Sequence, residues 1–228
     1  MKKKIWIIIL LMVAFLVTGC EKTDGEKFAK EYTSLNGTKS ESGKTIRSIK
    51  ISSDNPFVYQ TAEEIAERIE NKESFIVYFG FAKCPWCRSV LEQLIKVAKD
   101  KNIKTIYYVD VLEIRDVREM TEDGEVNITK EGTKGYQKLL TQLEDVLSDY
   151  TTTVDEETLS LGEKRIYAPN VVAVHNGKAL QMETGISEEL KDPYGKLTED
   201  IRTYAYNKFK CLVDCLEEES NTCQKNMC

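Results

Sequence analysis

The stretch that decides the fold is FIVYFGFAKCPWC, residues 75–87, with RSVLEQLIKVAK, residues 88–99, behind it. Residues 75–81 are apolar or aromatic almost throughout, the composition of a strand sandwiched between helices rather than one with a solvated face. Residues 88–99 place Val90, Leu91, Leu94, Ile95 and Ala98 on one helical stripe. Cys84-Pro85-Trp86-Cys87 therefore stands at a strand-to-helix turn. A helix N-terminus carries partial positive charge and unsatisfied N–H groups, so a thiol placed there ionises more readily, and the thiolate is the attacking form. Cys84 is the candidate nucleophile and Cys87 its resolving partner, spaced so that the second sulfur can reach the first once a mixed disulfide has formed. Two other uses of such a pair stay open: half of a zinc site, which needs two more N or S ligands, and an inert disulfide within a turn. Neither accounts for the strand before the motif and the helix after it.

Working outward, residues 104–111 (KTIYYVDV) read as a further strand, and strand, helix, strand in this order implies a right-handed crossover with parallel pairing. Upstream, Thr61 and Glu64 form a capping-box signature before Ile65, Ala66 and Ile69, predicting a helix over residues 61–72. Residues 45–52 (TIRSIKIS) alternate imperfectly and predict a strand. Downstream, Asn176-Gly177 between the apolar runs 171–174 and 178–182 predicts a two-residue hairpin. Residues 112–165 are polar and punctuated by glycine, with a helical pattern over 136–150 in Leu139, Leu140, Leu143, Val146 and Leu147; they read as an insertion or lid. Residues 197–218 close the chain as a helix. The fold class is thus α/β, a central mixed sheet flanked by helices over residues 45–210, with a helical insertion and a cysteine-rich helical tail at 211–228.

The first nineteen residues bear on location. Lys2, Lys3 and Lys4 precede an unbroken apolar run, residues 5–17, which is the pattern of an export signal. At thirteen residues the run is shorter than the roughly 20 needed to span a bilayer. Val17-Thr18-Gly19-Cys20 resembles the lipobox of bacterial lipoproteins, which makes Cys20 the lipidated first residue of the mature chain; an uncleaved signal anchor is the alternative. Both place the folded part at the cell membrane, on its extracytoplasmic face. Residues 20–44 are rich in Lys, Glu, Ser, Thr and Gly and read as a flexible tether. Without residues 1–19 the chain holds 29 basic and 38 acidic residues, a net charge of −9, which does not suggest a nucleic-acid surface.

Seven cysteines suit an oxidising, exported compartment. Setting Cys20 aside leaves Cys84 with Cys87, and Cys211, Cys215, Cys223 and Cys228 near the C-terminus. Cys211 and Cys215 are four apart and share a helix face. Four cysteines allow three connectivities. If the tail folds back as a second helix, nested pairing of Cys215 with Cys223 and of Cys211 with Cys228 fits, as structural disulfides; a four-thiolate zinc site and a second redox relay are the rivals.

The order of elements, with Ala168-Pro169 leading the final hairpin, resembles thioredoxin-like proteins over about residues 45–210. The resemblance implies that Pro169 follows a cis bond and lies against the redox pair, and that the backbone of Ala168 pairs with a substrate chain. Val77-Tyr78-Phe79-Gly80 followed by Cys84-Pro85-Trp86-Cys87-Arg88 is similar to thioredoxin-fold accessory proteins of bacteriocin export and disulfide formation. That likeness implies a membrane-anchored thiol–disulfide oxidoreductase acting on exported peptides or proteins together with a redox partner protein, with no cofactor and no metal. Two alternatives remain, a non-enzymatic accessory or chaperone component of an export system and a metal-binding protein. Tyr78 stands where thioredoxin has a buried aspartate. Lys83 and Arg88 flank the pair and are expected to favour its thiolate, and Trp86 is expected either to meet substrate or to pack on its own domain.

Overall fold

The computed structural model describes residues 22–217. In chain order the elements are α1 (Asp24–Thr33), β1 (Phe57–Tyr59), α2 (Ala62–Glu70), β2 (Phe75–Gly80), α3 (Pro85–Asp100), β3 (Ile106–Asp110), β4 (Val117–Met120) and β5 (Val126–Lys130). They continue with α4 (Lys134–Gln142), β6 (Ser148–Val154), β7 (Glu157–Arg165), β8 (Asn170–His175), β9 (Lys178–Glu183) and α5 (Glu199–Glu217). The signal segment, Cys20, Cys223 and Cys228 lie outside the described residues. Among the described residues no helix is long and apolar enough to cross a membrane.

A mixed five-stranded sheet in the order β1-β3-β2-β8-β9 carries the fold. β2 is central, parallel to β3 on one side and antiparallel to β8 on the other, and all six of its residues are buried. Its side chains alternate between two cores, as a period of two demands. Ile76 and Tyr78 join Val90, Leu91, Leu94, Phe209 and Leu212 beneath α3 and α5. Phe75, Val77 and Phe79 join Ile65, Ile69, Leu139 and Leu143 beneath α2 and α4. α2 begins at the expected Thr61 capping box. The β8–β9 turn also forms as expected, with Asn176 and Gly177 both at positive φ (50° and 73°).

Three expectations are corrected. The segment read as a tether, residues 20–44, contains α1, whose Phe28 and Tyr32 are fully buried against β1 and β3. Its composition is charged, yet Thr23 and Glu26 form a reciprocal capping box and its few apolar residues share one face. The strand expected over residues 45–52 is absent, and the edge strand is β1 instead. Ile46 and Ile49 are three apart, a spacing that cannot put both on one strand face, and an irregular segment buries them, its only β-bridge being Lys39–Thr45, with other bonds running to Thr38, Asn36 and Arg88.

The insertion at 112–165 is mostly β rather than helical, with two hairpins, β4–β5 and β6–β7, around the nine-residue α4. The helical pattern stops at Gln142, and a turn carries Leu143 and Leu147 into the same core that a longer helix would have reached. Threonines 151–153 favour the strand that follows. A buried carboxylate fastens the hairpins: Arg118 Nε donates to Asp116 Oδ2 at 2.6 Å, Arg118 Nη1 donates to the Leu161 carbonyl at 3.1 Å, and the Arg165 guanidinium lies 3.8 Å over the Tyr150 ring.

Arg88 holds the N-terminal segment to the sheet. It is 1 % exposed, and its guanidinium donates to the carbonyls of Arg47 (2.8 Å), Tyr32 (3.0 Å) and Ala82 (3.0 Å) and to Asn36 Oδ1 (2.6 Å). One side chain of α3 thereby satisfies the end of α1 and the irregular segment beyond it. Removing it strands several buried acceptors, each of which costs about 1–3 kcal/mol. Arg88→Met is therefore expected to lower the unfolding free energy by about 3 kcal/mol in urea denaturation. A loss under about 1 kcal/mol would show that the brace is dispensable.

Candidate active site

Cys84 is the N-cap of α3, with Pro85 in the first turn. Its sulfur accepts a hydrogen bond from the Cys87 backbone N–H at 3.2 Å, so the helix directs one of its unsatisfied donors at the reacting atom. As a thiol, Cys84 donates to the Ala168 carbonyl at 3.3 Å, across the cis bond to Pro169. Two residues singled out more than eighty positions apart in sequence are thus in direct contact. Both Cys84 and Cys87 are free thiols.

The two sulfurs differ in acidity. The Cys84 thiol is held below its ordinary pKa, first by a hydrogen bond from the Cys87 thiol, against burial, and then by the backbone N–H groups of Cys87 and Trp86 and the nearby Arg115 cation. Burial pushes the Cys87 thiol well up, and the neighbouring Cys84 sulfur pushes it further. A buried, protonated second thiol beside an acidic first one is the division of labour expected of an attacking and a resolving cysteine.

The cations are not the expected ones. Lys83 points into solvent with its side chain 64 % exposed, reaching only the exposed Glu41 at 4.0 Å. Arg88 faces inward to backbone carbonyls. The charge that favours the Cys84 thiolate belongs to Arg115, whose guanidinium sits 5.2 Å from the centre of the Phe81 ring. Its place in the polar insertion gave no sequence signal, because its approach to Cys84 depends on how residues 111–116 turn after β3.

Cys84 is 3 % exposed. Beside it runs a groove of about 400 Å³ lined by Trp86, Tyr167, Ala168, Pro169, Ser148 and Asp149 among others. The β6–β7 insertion therefore supplies one wall. Tyr167 fastens that wall, accepting from the Thr151 N–H at 3.1 Å and donating to the Asp149 carbonyl at 3.2 Å. Trp86 serves both uses foreseen for it: half-buried, it packs on Leu190, Leu197 and Ile201 and also borders the groove.

Behind Cys87 lies a second feature that the sequence did not disclose. Tyr78 is fully buried and interacts directly with the Cys87 thiol, and its hydroxyl is 3.1 Å from that of Tyr32 on α1. Only the tyrosine at position 78 was legible; its partner arrives from the segment read as a tether.

Among the described residues no three His, Cys, Asp or Glu side chains stand close enough to share a metal ion, and none of these residues adds a third zinc ligand to Cys84 and Cys87. Cys211 and Cys215, on α5, each take part in a disulfide, and Cys223 and Cys228, with which they were expected to pair, lie outside the described residues. No family model matches the chain, and no curated protein matches it. Its chemistry is read from its own residues.

The charge assignment is testable through the rate of Cys84 alkylation by iodoacetamide as a function of pH. Arg115→Met is expected to raise the apparent Cys84 pKa by about 0.5–1 unit and Lys83→Met by less than about 0.2. Equal shifts, or a larger one for Lys83, would return the role to the lysine.

Proposed function

We propose that this chain is a thiol–disulfide oxidoreductase of thioredoxin-like architecture, anchored through Cys20 on the extracytoplasmic face of the membrane and acting on exported peptides or proteins. The observation that carries the reading is the contact of Cys84 with both the N-terminus of α3 and the Ala168 carbonyl. The helix N-terminus favours the attacking thiolate, and the carbonyl lies where an extended chain bound in the neighbouring groove could pair with it. The parallel β3–β2 pair, with the cysteines at the start of the helix that follows β2 and Ala168-Pro169 leading into β8, supports the finer architecture.

In the reducing direction the Cys84 thiolate attacks a substrate disulfide, forming a mixed disulfide and releasing one substrate sulfur. Cys87 then attacks the Cys84 sulfur, the bond from Cys84 to substrate breaks, and the chain is left with a Cys84–Cys87 disulfide. The same steps in reverse oxidise a substrate dithiol, and a redox partner protein restores the starting state. Near-complete cover over Cys84 requires local parting of the groove before attack. That cover also supports a second reading, in which the domain is an accessory of an export complex that holds peptides by Trp86 and Pro169 without exchange.

The two readings separate on Cys87→Ser. As an oxidoreductase, the full-length Cys87→Ser protein should accumulate a mixed disulfide with a disulfide-bonded peptide, and Cys84→Ser should lower peptide disulfide turnover by about 100-fold or more. Unchanged turnover in Cys84→Ser, with no trapped adduct in Cys87→Ser, would leave the holding role.

A further inference from the structure

The buried Cys87 thiol must lose its proton before it can attack, and the polar groups that bear on it most strongly are the Cys84 sulfur, the Tyr78 hydroxyl and the Phe81 backbone. Tyr78 is itself sealed from solvent. Its hydroxyl meets that of Tyr32 at 3.1 Å, Tyr32 interacts with Tyr108, and the Tyr108 hydroxyl donates to Glu31 Oε1 at 3.3 Å. Tyr59 donates to the other oxygen, Glu31 Oε2. Glu31 is half-buried on α1, at the edge of this aromatic cluster. A thiol at one end, a carboxylate at the other and three phenols between stand in line, within hydrogen-bond distance at Tyr78–Tyr32 and at Tyr108–Glu31, and each phenol is able to accept one proton and donate another.

We propose that the Tyr78–Tyr32–Tyr108 chain carries the proton of Cys87 to the Glu31 carboxylate during resolution of the mixed disulfide, and returns it when Cys87 becomes the leaving group. The inference rests on the oxidoreductase reading above. With Cys84 tied up in the mixed disulfide and no longer accepting from Cys87, the order that carries the proton outward is the one that ends on the ionised Glu31 as acceptor. Cys87 donates to Tyr78, Tyr78 to Tyr32, Tyr32 to Tyr108, and Tyr108 to Glu31. Shifting each proton one place gives a Cys87 thiolate, three neutral phenols and a protonated Glu31, with every bond reversed. The thiolate then attacks Cys84, the bond from Cys84 to substrate breaks, and the substrate sulfur leaves with the electron pair and takes a proton from water. Burial raises the Glu31 pKa, which brings its basicity nearer to that of a thiol. The phenols lie far up their own scale, so they relay without being left ionised.

Glu31 touches no reacting atom and acts through the tyrosines. The groups that face it are Tyr59, Tyr108 and the Asp110 carboxylate, while Cys84, Tyr78, Tyr32 and the Arg88 guanidinium face Cys87. Asp110 and Arg88 belong to β3 and α3 and stay in place in the variants below.

The test uses the reduced full-length chain and oxidised glutathione, with acid quenching and mass spectrometry of the glutathione adduct on Cys84. Glu31→Gln should leave adduct formation within about twofold of wild type but slow its resolution about tenfold at pH 6.5, with the deficit closing by about pH 9 as hydroxide takes the proton directly. Tyr108→Phe, which breaks the chain one step earlier, should give the same profile. Resolution at the wild-type rate in both variants, or a deficit that is constant across pH, overturns the relay while leaving oxidoreductase activity standing. If neither wild type nor Cys87→Ser forms any adduct, the oxidoreductase reading itself fails, and the relay with it.

Discussion

The rest of the site depends on a single placement, that of the Cys84 sulfur at the N-terminus of α3 with the Cys87 N–H aimed at it. Partial positive charge at a helix start decays within a turn, so only the capping position receives its full effect. Cys87, in the same first turn but turned into the core, receives burial instead. One helix start therefore produces two unlike thiols, and much of the surrounding structure serves to hold that start in place.

The sheet supplies the first constraint. β2 runs through its middle, paired on both sides, and delivers the chain to the turn before α3. β8 comes from the opposite direction and brings Ala168 up to Cys84. Arg88 supplies the second by tying the end of α1 and the irregular segment after it to the redox helix through backbone carbonyls. Because α1 also brings Tyr32 and Glu31 to the phenol cluster, the N-terminal segment is joined to the site both mechanically and chemically.

Sequence reading succeeded where a local rule had one outcome. The all-apolar β2, the stripe of α3, the Thr61 capping box and the Asn176-Gly177 turn each specify a single conformation, and all formed. So did the cis bond before Pro169 and the approach of that turn to the redox pair, which came from family resemblance rather than from any local pattern. It failed where composition was weighed above pattern. Thr23-Asp24-Gly25-Glu26 carries the same capping signature as Thr61 to Glu64, and Phe28 and Tyr32 lie one helical turn apart, yet the charged residues around them suggested a tether. Burying two aromatic rings against β1 and β3 outweighs the pull of solvent on the charged residues, of which Glu26, Lys27 and Lys30 stay exposed while Glu31 is half-buried. The burial of Arg88 had no sequence signal, since its partners are mostly carbonyls that every residue possesses. The same holds for Arg115, whose approach to Cys84 is set by the path of the chain after β3.

The central claim is that Cys84 and Cys87 are held far apart in acidity by their places on one helix. It is tested most directly by following the Cβ carbon shifts of both residues by NMR in the reduced protein, labelled on cysteine, across pH. The account predicts that Cys84 ionises below the ordinary cysteine value of about 8.5 while Cys87 stays protonated well above it. Two thiols titrating together near that ordinary value, or Cys87 ionising first, would contradict it.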